Sequence, residues 1–147
     1  MRKTIYKALI DRLQGILGED QQPLIKHIDL WNLNVEAAEE EVFDTPAVFV
    51  EFLPIDWELV KDNVRRGKIR IRLHIVTEAK GISSMGSGSI DASLTYFDVV
   101  DAINDALIGW STEDFAPLAG TESITNHDHG ELIENVEGYQ TRVTETR

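Results

Sequence analysis

The sequence predicts an α+β domain: an antiparallel sheet carrying two main helices, in the order α-β-β-α-β-β. Three observations lead there. Apolar residues recur at 3–4 spacing in two separate segments, as one buried helix face requires. Residues 69–76 alternate strictly between apolar and polar, the period of a half-buried strand. Residues 47–52 are almost wholly apolar, β-branched or aromatic, as expected of a strand covered on both faces.

The first helix carries Ile5, Ala8, Leu9, Leu13, Ile16 and Leu17 on one side and Lys7, Asp11 and Gln14 on the other. Gly18 follows the last apolar residue and is expected to close it in a left-handed conformation. Residues 19–45 read as an acidic, irregular excursion with one short strand near Ile28 to Leu30. The run Glu39-Glu40-Glu41 is expected to stay in water. Pro46 then precedes the apolar strand Ala47 to Phe52, where it breaks no ladder. In the next strand Ile69, Ile71, Leu73 and Ile75 point one way and Arg70, Arg72 and His74 the other, which makes His74 a surface residue. Residues 54–68 between the two strands leave room for one helical turn around Trp57 to Val60 but not for a crossover helix. The pair is therefore expected to be antiparallel.

Residues 80–90 are rich in glycine and serine, have little to bury, and read as a flexible loop. The second helix carries Tyr96, Val99, Val100, Ile103, Ala106, Leu107 and Trp110 as one stripe, with Asp98, Asp101 and Asp105 opposite. Asp91 or Ser93 is expected to cap its start. Beyond Trp110 a final hairpin is expected, with strands near Ser123 to Thr125 and Tyr139 to Thr144. Residues 1–147 fit one domain.

Composition narrows the function classes. With no cysteine among 147 residues, disulfides, iron–sulfur clusters and a thiol nucleophile are excluded. No apolar run approaches the roughly 20 residues of a membrane span, and the chain reads as soluble and intracellular. The net charge of −12 argues against nonspecific nucleic-acid binding. The charge is also uneven. Between Lys80 and Arg142 stand eleven acids and no Lys or Arg, whereas Lys61, Arg65, Arg66, Lys68, Arg70 and Arg72 fall within twelve residues.

Catalytic motifs fail on detail. Gly86-Ser87-Gly88 lies between a strand and a helix, but position 91 is Asp91 where a dinucleotide fingerprint needs glycine, and no P-loop lysine follows. No Gly-x-Ser-x-Gly elbow occurs. His127-Asp128-His129 could present two imidazoles to one side, the arrangement of a metal-dependent hydrolase, yet no third ligand is evident beyond nearby Glu131. A hairpin tip is the simpler reading. The expectation is a protein that is not an enzyme and holds no cofactor or metal. The basic stretch instead reads as a contact surface: Arg65, Arg66, Arg70 and Arg72 as donors, with Asp98, Asp101 and Asp105 of another copy as acceptors. Unlike patches meeting head to tail generate a ring when the rotation closes.

The opening helix, the run Pro-Ala-Val-Phe-Val-Glu-Phe, the alternating Lys68-Ile69-Arg70-Ile71-Arg72-Leu73-His74-Ile75-Val76, the polar loop, the helix from Leu94 to Trp110 and the closing strands together resemble the tail-terminator and tail-completion proteins of tailed bacteriophages. The resemblance covers most of the chain apart from residues 19–45. It implies a virion protein made in the bacterial host cytoplasm that forms a homo-oligomeric ring, commonly a hexamer, at the head-proximal end of the tail. Such a ring ends tail-tube polymerisation and joins the tail to the neck. Its implied partners are the tail tube protein and a neck or connector protein, with no membrane and no sequence-specific nucleic acid. A neck or adaptor subunit is the alternative within the same class. The loop containing Gly81, Ser84, Met85, Gly86, Gly88 and Ser89 is the candidate tube- or lumen-facing element.

Overall fold

A computed structural model of the chain describes residues 1–32, 43–129 and 131–147, with backbone alone for 127–129. The elements are α1 (Arg2–Gln14), β1 (His27–Leu30), β2 (Ala47–Phe52), β3 (Asp56–Lys61), β4 (Val64–Glu78), α2 (Ile90–Ser93), α3 (Thr95–Leu107), β5 (Ala119–His129) and β6 (Leu132–Thr146). The class is α+β, and the expected order holds in outline. The sheet runs β1-β2-β4-β6-β5, with β3 paired to the far end of β4.

The alternation in β4 sorts the molecule into two unlike faces. Ile69, Ile71, Leu73 and Ile75 are buried with Val48 and Val50 of β2 and Tyr139 and Val143 of β6. Over them lie Ile5, Leu9 and Leu13 of α1 and Val99, Val100, Ile103 and Leu107 of α3. Burying each such aliphatic side chain stabilises the fold by roughly 1.5–3 kcal/mol. The helices are also tied to each other: the Arg12 guanidinium donates to the Ala106 carbonyl at 2.9 Å and lies over the Trp110 ring. On the second face a smaller cluster forms from Ala47, Phe49 and Val76 with Trp31, Phe43 and Leu132. Ala47 to Val50 are thus buried from both sides, as their composition predicts.

Several expectations are corrected. The sheet is mixed, because β1 runs parallel to β2, from His27 beside Ala47 to Leu30 beside Val50. Residues 31–46 lie between them, enough chain for the crossover that parallel pairing demands. The two strong strands, β2 and β4, do pair antiparallel. No helical turn forms at Trp57 to Val60. Those residues belong to β3, which folds back on β4 through Asp62-Asn63, with Asp62 at φ 49°. Aspartate tolerates that left-handed position better than most residues. Trp57 is seated on Gly67, where a Cβ would come within 2.8 Å of its ring.

Gly18 does not close α1. The helix stops at Gln14 with Gly15 as its cap at φ −75°, and the left-handed residue is Gln21 at φ 63°. Leu17 has left the helix, is half exposed, and bridges to Pro23. Neither Asp91 nor Ser93 caps α3. The single turn α2 feeds directly into it, and Ser93 Oγ donates back to the Ile90 carbonyl. The closing hairpin is longer than expected on both strands, and β6 pairs with β4 along its whole length. The acidic run Glu39-Glu40-Glu41 lies outside the described residues. Among those residues, no helix is long and apolar enough to cross a membrane.

The helix-covered core yields a direct test. Ile103→Ala removes a wholly buried side chain from α3, and is expected to cost about 2–5 kcal/mol in urea-unfolding free energy. Asp101→Ala on the exposed side of the same helix should stay within about 0.5 kcal/mol.

Candidate functional site

The helix-free face of the sheet carries the densest row of exposed positive charge along any one strand. Arg66, Lys68, Arg70 and Arg72 succeed each other along β4 at every second residue, and Arg142 of β6 stands directly opposite Lys68. Arg66, Lys68, Arg70 and Arg142 are exposed and form no ion pair among the described residues. Asp56 and Glu58 of β3 occupy the positions opposite Lys68 and Arg66, at the outer margin of the row. Like charges directly opposite on a sheet repel by about 0.2–1 kcal/mol, so Lys68 facing Arg142 costs folding stability.

The other two predicted arginines have partners inside the chain. Arg72 reaches Glu122 of β5 at 2.6 Å, across the intervening strand β6. The crossing depends on Gly138, where a Cβ would collide with Glu122 Cγ at 2.6 Å. Arg65 points to the opposite face. It lies 3.8 Å over the Trp57 ring and holds the Glu145 carboxylate, with Nε at 2.7 Å. Those hydrogen bonds from Arg65, aided by Arg147, keep the Glu145 carboxyl below the usual carboxylate range.

His74 overturns its expected position. It is only 7% exposed. Nδ1 meets Glu134 Oε2 of β6 at 2.7 Å, and Nε2 meets Glu51 Oε1 of β2 at 2.9 Å. Trp31, just past β1, stacks flat on the imidazole at 3.7 Å between ring centroids and 2° between planes. The alternation assigned the correct face. What it missed is that this end of the face is roofed by an aromatic ring delivered from a distant segment. Burial pushes the His74 pKa down, but hydrogen bonds to Glu134 and Glu51, and their charges, more than offset that and raise it. An imidazolium donating both N–H groups to carboxylates is the species the geometry favours. With both nitrogens engaged and one ring face covered, it has no free lone pair for base or ligand work.

A second buried network lies beneath α3. The Tyr139 hydroxyl donates to Asn104 Oδ1 at 2.5 Å, Asn104 Nδ2 donates to Glu137 Oε1 at 3.4 Å, and Ser123 Oγ donates to the other Glu137 oxygen. Burial, and then the Glu137 charge, push the Tyr139 hydroxyl well up, so it remains a donor. These residues pin α3 to the β5–β6 hairpin. Sequence reasoning had no signal for the network beyond the share of polar residues in β6.

Asp98, Asp101 and Asp105 are exposed on the outer side of α3, and that helix contains no basic residue. They lie on the helix side of the sheet and the cation row on the other, so the fold does not bring the two predicted sets together within one chain. The loop residues Gly81, Ser84, Met85, Gly86 and Gly88 are exposed, and Met85 is 99% exposed. Ser89 Oγ accepts from the Ile82 amide at 2.9 Å and contacts Ser87 Oγ, which closes the loop on itself. A hollow of about 670 Å³ near the start of α3 is lined by Lys26, Lys80, Asp44, Glu78, Thr77 and Tyr96, among others, without a paired nucleophile and base. Among the described residues no group of three or more His, Asp or Glu could hold a metal. The side chains of His127 and His129 lie outside that description.

No protein-family model matches the chain, and no curated protein matches it. Among solved structures it is similar to a chain of the "Virion of native gene transfer agent (GTA) particle", with 12% identity over 96% of this chain and 85% of that one and a TM-score of 0.49. That degree of likeness carries no statement about role.

The His74 cluster predicts a specific pH response. Its folded-state pKa is raised from the ordinary 6.5, so its stabilisation is fully present below about pH 6.5 and is lost as pH climbs through the folded value. Thermal unfolding from pH 6 to 9 should show this decline in the wild type, and His74→Gln should remove it. At pH 6 that substitution removes the imidazolium that bridges Glu134 and Glu51 and is expected to cost about 3–5 kcal/mol. A wild-type profile that coincides with that of His74→Gln would contradict the assignment.

Proposed function

We propose that this chain is a virion structural protein that forms a ring at the head-proximal end of a phage tail, ends tail-tube polymerisation there, and joins the tail to the neck. The role is protein binding, without catalysis or a bound cofactor. The pattern of helices, alternating strand and polar loop described above supports it. The observation that carries it is the placement of two charged rows: Arg66, Lys68, Arg70 and Arg142, with no ion pair among the described residues, on the helix-free face of the sheet, and Asp98, Asp101 and Asp105 on the outer side of α3. Neither set neutralises the other within a chain, and a surface self-complementary in this way favours association between copies. Among the described residues the outer edge of β5 pairs with no other strand, and it adds a second surface of backbone groups open to pairing.

In this reading the ring uses its sides for neighbouring copies and its two ends for the tube and the neck. The loop from Gly81 to Ser89, with its exposed Ile82 and Met85, is the tube- or lumen-facing element. An apolar side chain held in water gains free energy when a partner covers it.

The experiment is polymerisation of purified tail tube protein from the same genome, with and without this chain. Tubes should end in a ring on electron micrographs and stop lengthening once it is added. Tubes that grow to unaltered length, with the chain unbound, would refute the role. Met85→Asp is expected to weaken tube capture by about tenfold while leaving ring formation intact, as measured by pelleting with preformed tubes.

A further inference from the structure

Resting on the ring reading, we propose that neighbouring copies join by laying the outer side of α3 on one chain against the cation row of the next, so that Asp98, Asp101 and Asp105 meet Arg66, Lys68, Arg70 and Arg142. The structure changes the contact set drawn from sequence. Arg65 and Arg72 are engaged with Glu145 and Glu122, while Lys68 and Arg142 join the row through the β4–β6 register.

The two surfaces match in length and shape. On a helix, Asp98 to Asp105 span about 10 Å at roughly 1.5 Å per residue, and all three lie within about 60° of arc. Along β4, Arg66 to Arg70 span about 13 Å at roughly 3.3 Å per residue. A carboxylate ridge can therefore lie along a cation row with each charge near an opposite one. Such a contact also relieves the repulsion between Lys68 and Arg142, a pair with acids only on the β3 side of the row, at Asp56 and Glu58. Asp56 and Glu58 bound the row on the β3 side and repel a helix placed too far out, which fixes lateral position as well as attraction. Because donor and acceptor lie on opposite sides of the sheet, the contact is head to tail and propagates from copy to copy.

Charge exchange tests this. Arg70→Glu with Arg142→Glu removes the net positive charge of the row; Asp101→Lys with Asp105→Lys makes the helix face basic. Circular dichroism checks that each pair folds, and Arg70→Gln/Arg142→Gln with Asp101→Asn/Asp105→Asn serve where reversal unfolds the chain. By sedimentation velocity each altered chain is expected to self-associate at least about tenfold more weakly than wild type. An equimolar mixture of the two reversed chains should recover association, since each supplies what the other lacks. Reversed or neutralised chains that assemble as the wild type does, or a reversed mixture no better than its components, would overturn the contact while leaving the ring reading standing. A wild type that remains monomeric to about 1 mM would overturn both.

Discussion

Fifteen residues of β4 pair antiparallel with fifteen of β6, from Val64 beside Thr146 to Glu78 beside Leu132, and every other element is placed by that ladder. β2 and β3 divide one flank of β4 between them, and β5 takes the outer flank of β6. The alternation along β4 then decides what each face becomes. Its aliphatic side chains draw both helices to one face. Its arginines and lysine keep most of the other face open, because covering unpaired cations would cost several kcal/mol each. The division between a helix-covered face and an open, cationic face is set by one strand.

The ladder needs a fixed register, since a slip by one residue would send the isoleucines into water. Buried polar residues supply part of that specification. Glu134 meets His74, Asn135 meets Thr125, Glu137 meets Ser123 and Asn104, and Thr141 Oγ1 donates to the Ala116 carbonyl. Each bond is made in one alignment only, and breaking any of them strands a polar group away from water. The polar content of β6 is thus a device for alignment rather than a sign of exposure.

How far the sequence could be read follows from how local each signal is. The α3 stripe, the β4 alternation and the doubly buried β2 are periodic over short stretches, and all three appear where the periods place them. The parallel β1, the strand at Asp56 to Lys61 and the full length of β6 depend on partners distant in the chain. Local pattern does not register those partners: β3 exposes most of its side chains, Leu59 by 71%. The same limit holds for the surface. Composition located the cation cluster and the aspartates, because like residues at every second or every third to fourth position share a face. It could not tell that Arg65 and Arg72 find carboxylates on β6 and β5, or that Trp31 roofs His74, since those meetings exist only once the sheet is assembled.

The seat of Trp57 on Gly67 ties two positions into one unit. An alanine at 67 would press its methyl into the indole and towards Ile55, at 2.8–3.0 Å, so the bulk of one residue is inseparable from the missing bulk of the other. Divergence at this hairpin must then be correlated: position 67 is free to gain a side chain only in lineages where position 57 has already shrunk. The Arg65 guanidinium, resting on that same indole, would lose its platform in the exchange.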